Sequence, residues 1–229
     1  MIISQVTLQL KTEPTLSEHG NSLRGYIAGN FPQYEILHNH RPDGSLLYLY
    51  PRVQYRVLKG DGCIIGIEEG VGVVREIEPM IDHLTLKGKR YSIAQKHIIL
   101  KNVSFGLKDT FVTYHFVKPW LALNEQNYHE YIKAGNKRMR EIILENILKG
   151  NLLSLSKSMG YVVDKQIEVT SLFLEERECF LKGTPMLGFL GSFSVNFEIP
   201  DYWGIGKSVS RGFGTIKRVG ESETLGIGS

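Results

Sequence analysis

The hydrophobic pattern of the first hundred residues switches between two periods, and this switching restricts the fold more than any other feature. The stretch MIISQVTLQLK alternates apolar and polar residues, which predicts a strand. In LSEHGNSLRGYIAGNF the apolar residues stand at helical spacing, at Leu23, Tyr26, Ile27 and Phe31. Two strand patterns follow around a turn at 59–62, then the short helical pattern VGVVREIEPMI, and then the strand pattern LTLKGKRYSIAQKHIIL. The order βαββαβ is the ferredoxin-like pattern.

A second unit of the same kind is predicted from Asp109 onward. TFVTYHFVKPWLAL has a strand pattern, and a long helix is predicted over NEQNYHEYIKAGNKRMREIILENIL. The apolar side of that helix is predicted to comprise Tyr128, Ile132, Met139, Ile143 and Ile147. A hairpin of two strands follows, its second arm alternating as SFSVNFEI, and TIKRV closes the sheet. A glycine-rich loop stands where the second helix of the unit is expected.

These patterns predict an α+β protein of two tandem ferredoxin-like (RRM-like) units with a C-terminal glycine-rich loop. The predicted divisions are an N-terminal unit over 1–108, a C-terminal unit over 109–219 and a flexible tail over 220–229.

Composition excludes several classes of protein without selecting one. The 229 residues carry a net charge of +3, which permits a nucleic-acid partner but does not require one. The two cysteines, Cys63 and Cys179, are far apart and lack metal-ligand spacing, which is typical of a reduced cytoplasmic protein. The first residues lack the pattern of a signal peptide, and there is no run of eighteen apolar residues, so no membrane segment is predicted.

The segment DYWGIGKSVSRGFGTIKRV, from Asp201 to Val219, is the most unusual in the chain. It does not fit the nucleotide-binding phosphate loop, because Asp201 stands where the first glycine is required. Its glycines alternate with polar and basic residues: Gly204, Gly206, Lys207, Ser208, Ser210, Arg211, Gly212 and Gly214. Two interpretations remain open, a flexible surface loop and a phosphate-binding loop in which glycines allow close backbone approach.

The stretch LHNHRPDG places His38 and His40 two residues apart. On an extended segment they would share one face and could act as a general base and a general acid. A second interpretation is a pair of solvated loop residues. A third is half of a zinc site to which Asp43 adds a ligand, but no nearby motif completes it, so no metal or cofactor is predicted.

The stretch LYLYPRVQYRV and the long helix offer two more candidate surfaces. As one regular strand, LYLYPRVQYRV would place five residues on one face, which suits stacking on single-stranded RNA: Tyr48, Tyr50, Arg52, Gln54 and Arg56. The alternative is a mixed solvated face, with Pro51 breaking the strand. Basic residues of the helix, Lys133, Lys137, Arg138 and Arg140, are predicted to be solvated beside Glu141 and Glu145.

The glycine-rich segment resembles the C-terminal motif of the RAMP superfamily, the CRISPR-associated RNA-binding proteins built of ferredoxin-like units. More narrowly, GIEEG (66–70), the paired strands before it and GKSVSRGFGTIK resemble the repeat-RNA processing endoribonucleases of CRISPR systems. The resemblance implies metal-independent cleavage of CRISPR repeat RNA that leaves a 2′,3′-cyclic phosphate. The pair His38 and His40 is similar to the His-x-His pair of a branch from type I-B systems, which implies catalytic roles for both.

The resemblance also sets expectations for binding residues and partners. RNA contacts are expected from Gly204, Gly206, Lys207, Ser208, Ser210, Arg211, Gly212, Tyr48 and Arg52. Expected partners are the repeat RNA, a second copy of the chain and a CRISPR effector complex, with no membrane. Two rival functions stay open: a non-catalytic RAMP subunit that only holds guide RNA, and a binding protein unrelated to RNA.

Overall fold

The computed structural model describes residues 1–38 and 50–220, which form two antiparallel sheets with helices packed against them. The strands are β1 (Ile2–Glu13), β2 (Val53–Leu58), β3 (Asp61–Ile67), β4 (His83–Leu86), β5 (Lys89–Ser104), β6 (Gly106–Trp120), β7 (Val169–Leu181), β8 (Thr184–Glu198) and β9 (Ile216–Arg218). The helices are α1 (Gly20–Asn30), α2 (Glu35–His38), α3 (Glu69–Ile77), α4 (Glu125–Lys133) and α5 (Lys137–Ser158). Short 3₁₀ turns occupy Glu78–Met80 and Val209–Arg211.

The first sheet has the strand order β2-β3-β1-β5-β4 and is covered on one face by helices. The alternation in β1 explains this cover, because Val6, Leu8 and Leu10 are buried in the same cluster as Leu23 and Ile27 of α1. Helices α1 and α3 and strands β1 and β3 are therefore confirmed. The single strand predicted over 84–100 is wrong, because this segment forms β4 and β5, which pair with each other around a turn at Lys87 and Gly88.

The second sheet has the strand order β7-β8-β6-β9. The predicted hairpin is confirmed: β7 and β8 pair through a turn at Lys182 and Gly183, and Phe193, Val195 and Phe197 alternate into the core. The described segment between β8 and β9 contains one 3₁₀ turn and no α-helix, so a loop leads directly to β9, which pairs with β6.

The long helix predicted over 124–148 is wrong in two respects. It is two helices, α4 and α5, because Asn136 begins a new helix by accepting a hydrogen bond from the Met139 backbone N–H at 2.9 Å. On the predicted apolar side, Tyr128, Ile132 and Met139 are exposed, whereas Ile143 and Ile147 pack partly buried against the core. The buried side of α5 is instead Leu144, Leu148, Leu152 and Leu155.

The two halves share one apolar cluster, which places their sheets close together. Ile3, Cys63 and Ile65 of the first sheet pack in this cluster with Trp203, which follows β8. The Trp203 indole N–H also donates to the Gln5 side-chain oxygen at 2.8 Å. Burial raises the pKa of the Cys63 thiol to about 12, so this cysteine is an inert core residue.

The predicted division between residues 108 and 109 stays a prediction; strand β6, which contains it, begins at Gly106. Within 1–38 and 50–220, no helix is both long and apolar enough to cross a bilayer.

Candidate functional site

An open cleft of about 660 Å³ is lined by the glycine-rich loop and by residues from both halves of the chain. The loop forms one wall with residues 204–211. The opposite side is formed by Arg24 of α1, His38 at the end of α2, Tyr50, Asn151 of α5 and Lys182 of the β7–β8 turn. The cleft therefore brings together residues that are distant in the sequence. Most of the loop residues predicted to bind RNA are among them.

Three cations at this cleft contact neutral oxygens. Lys207 Nζ donates to the Leu123 carbonyl at 2.9 Å, and the Arg211 guanidinium donates to the Asn21 side-chain oxygen. Arg24 donates to the His38 carbonyl. Within the described parts of the chain none of the three forms an ion pair with a carboxylate.

The electrostatics of the cleft favour a bound anion. Arg24 is only 9% exposed, and burial, with repulsion from Arg211, lowers the pKa of its guanidinium. Its Nε is buried and has no hydrogen-bond partner among the described residues. Burial also lowers the pKa of Lys207 and of Arg211. An anionic ligand would compensate these charges, and phosphate oxygens match guanidinium donors well.

A buried arginine fixes the shape of the glycine-rich loop from beneath. Arg56 of β2 is 0% exposed and donates to the carbonyls of Val209 at 2.7 Å and Tyr202 at 3.2 Å. It also donates to the Gln54 side-chain oxygen, which accepts the Gly204 backbone N–H at 3.2 Å. Burial lowers the pKa of Arg56 to about 10. The predicted exposed face with Gln54 and Arg56 is therefore wrong, because both side chains face inward and hold the loop.

Two glycines of the loop are required by packing within the protein itself. Gly206 has φ of +87°, and a Cβ there would lie 2.6 Å from the Trp120 indole nitrogen. Gly212 has φ of +101°, and its Cβ would lie 3.2 Å from the Tyr55 carbonyl oxygen. The fold therefore requires glycine at both positions, whether or not the loop also binds phosphate.

His38 ends the four-residue helix α2 and lines the cleft half-exposed. The extended backbone assumed for the histidine pair does not hold at this position, because His38 is helical. His40 and Tyr48 lie outside the described residues. Their positions relative to His38 and the loop therefore stay predictions.

The predicted RNA-binding residues fall into two groups. Gly204, Gly206, Lys207, Ser208, Ser210 and Arg211 line the cleft, and Gly212 lies directly behind it. Arg52 precedes β2, where its Nε contacts Glu69 Oε1 at 2.8 Å and its Nη2 donates to the Ser158 carbonyl at 2.7 Å. Of the strand predicted over 47–57, the residues from Val53 onward belong to β2.

Several residues of the cleft were not predicted from the sequence, among them Arg24 and Asn151. The sequence contains an indication that Arg24 is unusual, because this arginine lies at helical spacing from the buried residues Ile27 and Ala28, where an apolar residue is expected. No pattern in the sequence indicates Asn151, because its contact is with a distant element: its side-chain oxygen accepts a hydrogen bond from the Trp120 indole N–H at 3.1 Å. As for metal ligands, no group of three or more His, Cys, Asp or Glu side chains occurs in the described ranges.

Comparisons with known proteins place the sequence and fold of this chain among the Cas6b proteins. Residues 1–104 match the model of the Cas6b N-terminal domain, and residues 106–219 match that of the Cas6b C-terminal domain. The chain belongs to the Cas6b family.

Individual relatives agree with this assignment. A crystal structure of Cas6b is 34% identical, with a TM-score of 0.89 over 96% of this chain and 100% of that one. A crystal structure of the CRISPR RNA processing endoribonuclease Cas6b is 31% identical, with a TM-score of 0.76 over the same shares. An uncharacterized protein of Methanocaldococcus jannaschii is 42% identical over 146 residues, which are 64% of this chain and 99% of that protein.

Proposed function

We propose that this protein is an endoribonuclease that cleaves CRISPR precursor RNA within the repeat and so produces guide RNAs. The observation that carries the proposal is the cleft in which Arg24, Lys207 and Arg211 meet without a carboxylate partner in the described residues, with His38 at its edge. The 31% identity to a CRISPR RNA processing endoribonuclease supports the same substrate class.

The proposed reaction is an internal transfer at one phosphodiester. The ribose 2′-oxygen attacks the adjacent phosphorus, a P–O2′ bond forms and the P–O5′ bond breaks, which leaves a 2′,3′-cyclic phosphate and a 5′-hydroxyl. A base takes the 2′-OH proton, and an acid supplies a proton to the leaving 5′-oxygen. No electron transfer and no metal is required by this balance of atoms.

His38 and His40 are proposed as the two proton-transfer groups, because imidazole titrates near neutral pH. The cations of the cleft would stabilise the negative charge that grows on the phosphoryl oxygens. Tyr50, which also lines the cleft, is a poor proton donor, because its hydroxyl is held by the Gly204 carbonyl at 2.9 Å and burial raises its pKa.

The proposed RNA contacts are the residues that the sequence predicted, and most of them line the cleft. The contacts are Gly204, Gly206, Lys207, Ser208, Ser210, Arg211, Gly212, Tyr48 and Arg52. We further propose that the two sheets are tandem ferredoxin-like units and that the protein acts in the cytoplasm. We also propose that two copies of the protein pair on one RNA and that the protein associates with a CRISPR effector complex. Light scattering with and without repeat RNA tests the pairing of two copies.

The decisive experiment incubates purified protein with repeat RNA in EDTA and identifies the product ends. We expect cleavage at one position, with a 2′,3′-cyclic phosphate on the upstream product. Activity that disappears in EDTA and returns with magnesium would contradict the metal-free chemistry. Binding without cleavage would favour a non-catalytic RAMP subunit, and neither binding nor cleavage would favour a function unrelated to RNA.

A further inference from the structure

A second hollow of about 520 Å³ adjoins the cleft, and Lys207 lines both. It lies between the start of α4 and the β7–β8 hairpin. Its lining residues are Leu123, Asn124, Glu125, Tyr128, Glu178, Pro185, Met186, Leu187 and Lys207. The two hollows therefore meet at Lys207.

The walls of the hollow suit a flat aromatic ring. Tyr128 keeps 44% of its surface exposed at this place, although large aromatic side chains are usually buried. Pro185, Met186 and Leu187 provide apolar surface opposite a polar rim. Stacking on an exposed tyrosine is a common way for proteins to hold an unpaired base.

The charges of the hollow distinguish a base from a phosphate. The carboxylates of Glu125 and Glu178 make no ion pair within 1–38 and 50–220, and they would repel a phosphate placed among them. They can accept hydrogen bonds from an amino group. At the entrance, Lys207 Nζ uses one donor on the Leu123 carbonyl and retains two for the RNA backbone.

We propose that this hollow binds one unpaired nucleobase that carries an exocyclic amino group, from the same RNA strand whose phosphates occupy the cleft. Tyr128 stacks on the base, Glu125 or Glu178 accepts from its amino group, and Lys207 contacts the adjoining phosphate. This inference rests on the proposed function and adds a site that selects the base beside the bound phosphates.

The test replaces single bases of a cleavable repeat RNA with 2-aminopurine and measures fluorescence on binding. One position is expected to be quenched by wild-type protein and by Tyr128→Phe, but not by Tyr128→Ala. Because one stacked base contributes about 1–3 kcal/mol, Tyr128→Ala should weaken RNA affinity roughly five- to 150-fold. The matched control is Phe173→Ala, an aromatic residue that is 71% exposed and lies outside both hollows.

The chemistry of the base is tested at the same position. Exchange of cytidine for uridine, or of adenosine for inosine, should weaken binding to wild-type protein, and Glu178→Gln combined with Glu125→Gln should reduce that discrimination.

The outcomes separate the two proposals. If wild-type protein cuts the RNA but Tyr128→Ala binds it equally well or shows the same quenching, the proposed base site is overturned. The proposed nuclease function is then unaffected. Wild-type protein that neither binds nor cuts repeat RNA overturns both.

Discussion

Two basic regions of this molecule border hollows of similar size, yet their charges are arranged in opposite ways. Beside the start of α5, a hollow of about 810 Å³ is lined by Lys137 and Arg140, and the cleft at the glycine-rich loop has about 660 Å³. At α5, Lys137 and Arg138 pair with Glu141, and Arg140 lies 3.5 Å from Glu176. At the cleft, Arg24, Lys207 and Arg211 contact only carbonyl and amide oxygens within the described chain.

The difference teaches that the pairing of charges, rather than their number or the size of a cavity, identifies a surface for a polyanion. A lysine beside a glutamate presents little net field to a phosphate, whereas a cation held by neutral oxygens keeps its full charge. The prediction that the basic face of α5 is solvated beside Glu141 and Glu145 agrees with these ion pairs; Lys149 lies 2.7 Å from Glu145.

The largest effect should come from the chemistry assigned to the cleft. His38→Ala should slow single-turnover cleavage by about 10²–10⁴-fold, with little change in RNA affinity, because a general acid or base acts on the reaction and not on phosphate attraction. The wild-type rate should rise and then fall around neutral pH, and the variant should lose one limb of that profile. His97→Ala, an exposed histidine of β5, is the control.

The double variant at His38 and His40 should be scarcely slower than the slower single variant, because partners in one mechanism are not additive. If the double variant cleaves at the wild-type rate, His38 and His40 are not the catalytic groups.

The next effect is on stability and contrasts two glycines. Gly206→Ala should lower the free energy of unfolding by roughly 1–3 kcal/mol, because the backbone is left-handed and the new Cβ meets the Trp120 ring. Gly135→Ala, between α4 and α5, should be nearly neutral, since no atom lies within 4 Å of its added Cβ. Urea unfolding of both variants measures the difference; equal stabilities would show that the loop is not held by this packing.

The contrast between the cations of the cleft, which contact neutral oxygens, and the paired cations of α5 is tested by two double variants, each of which removes two positive charges. Lys207→Ala with Arg211→Ala should reduce the slope of log affinity against log salt by about 1.4, since each phosphate contact to single-stranded RNA contributes about 0.7. Near physiological salt this corresponds to about tenfold weaker binding. Lys137→Ala with Arg138→Ala should leave the slope unchanged, and equal slopes for the two pairs would refute the contrast.

The smallest effect is expected at Arg52, which was predicted to contact RNA. Its guanidinium is held by Glu69 and by the Ser158 carbonyl, so Arg52→Ala should cost about 1 kcal/mol of stability and change the salt slope less than either cleft cation. Thermal unfolding and salt titration of one sample measure both. A salt slope reduced as much as by Lys207→Ala would show that Arg52 contributes to RNA binding as strongly as Lys207.

The sequence predicted most of the fold because local patterns determine it. The alternation in β1 and β8 matches the structure, and the turns predicted at 59–62 and 183–185 lie within two residues of the observed turns at 59–60 and 182–183, since strand faces and tight turns depend on a few neighbouring residues. The long helix failed because Asn136 can either continue a helix or begin one, and apolar spacing on both sides of the break suggested one continuous face.

The cleft was only partly predictable, because its residues meet through tertiary packing. Lys207 and Arg211 stand out within their own segment, whereas Arg24 becomes part of the cleft only when α1 packs beside the loop. The packing that requires glycine at position 206 could not be predicted for the same reason. Its close neighbour is Trp120, and no pattern in the sequence relates positions so far apart.

The hydrogen bonds from Gln54 and Arg56 to the glycine-rich loop have a consequence for protein engineering. A hybrid of two family members joined near residue 105 would combine strand β2 from one parent with the loop from the other. The guanidinium of Arg56 would then face carbonyls placed by a foreign backbone, and any mismatch would leave a buried cation without its acceptors. Hybrids should therefore fold and bind RNA only when β2 and residues 202–212 are exchanged together, so the smallest interchangeable module of this protein is discontinuous in the chain.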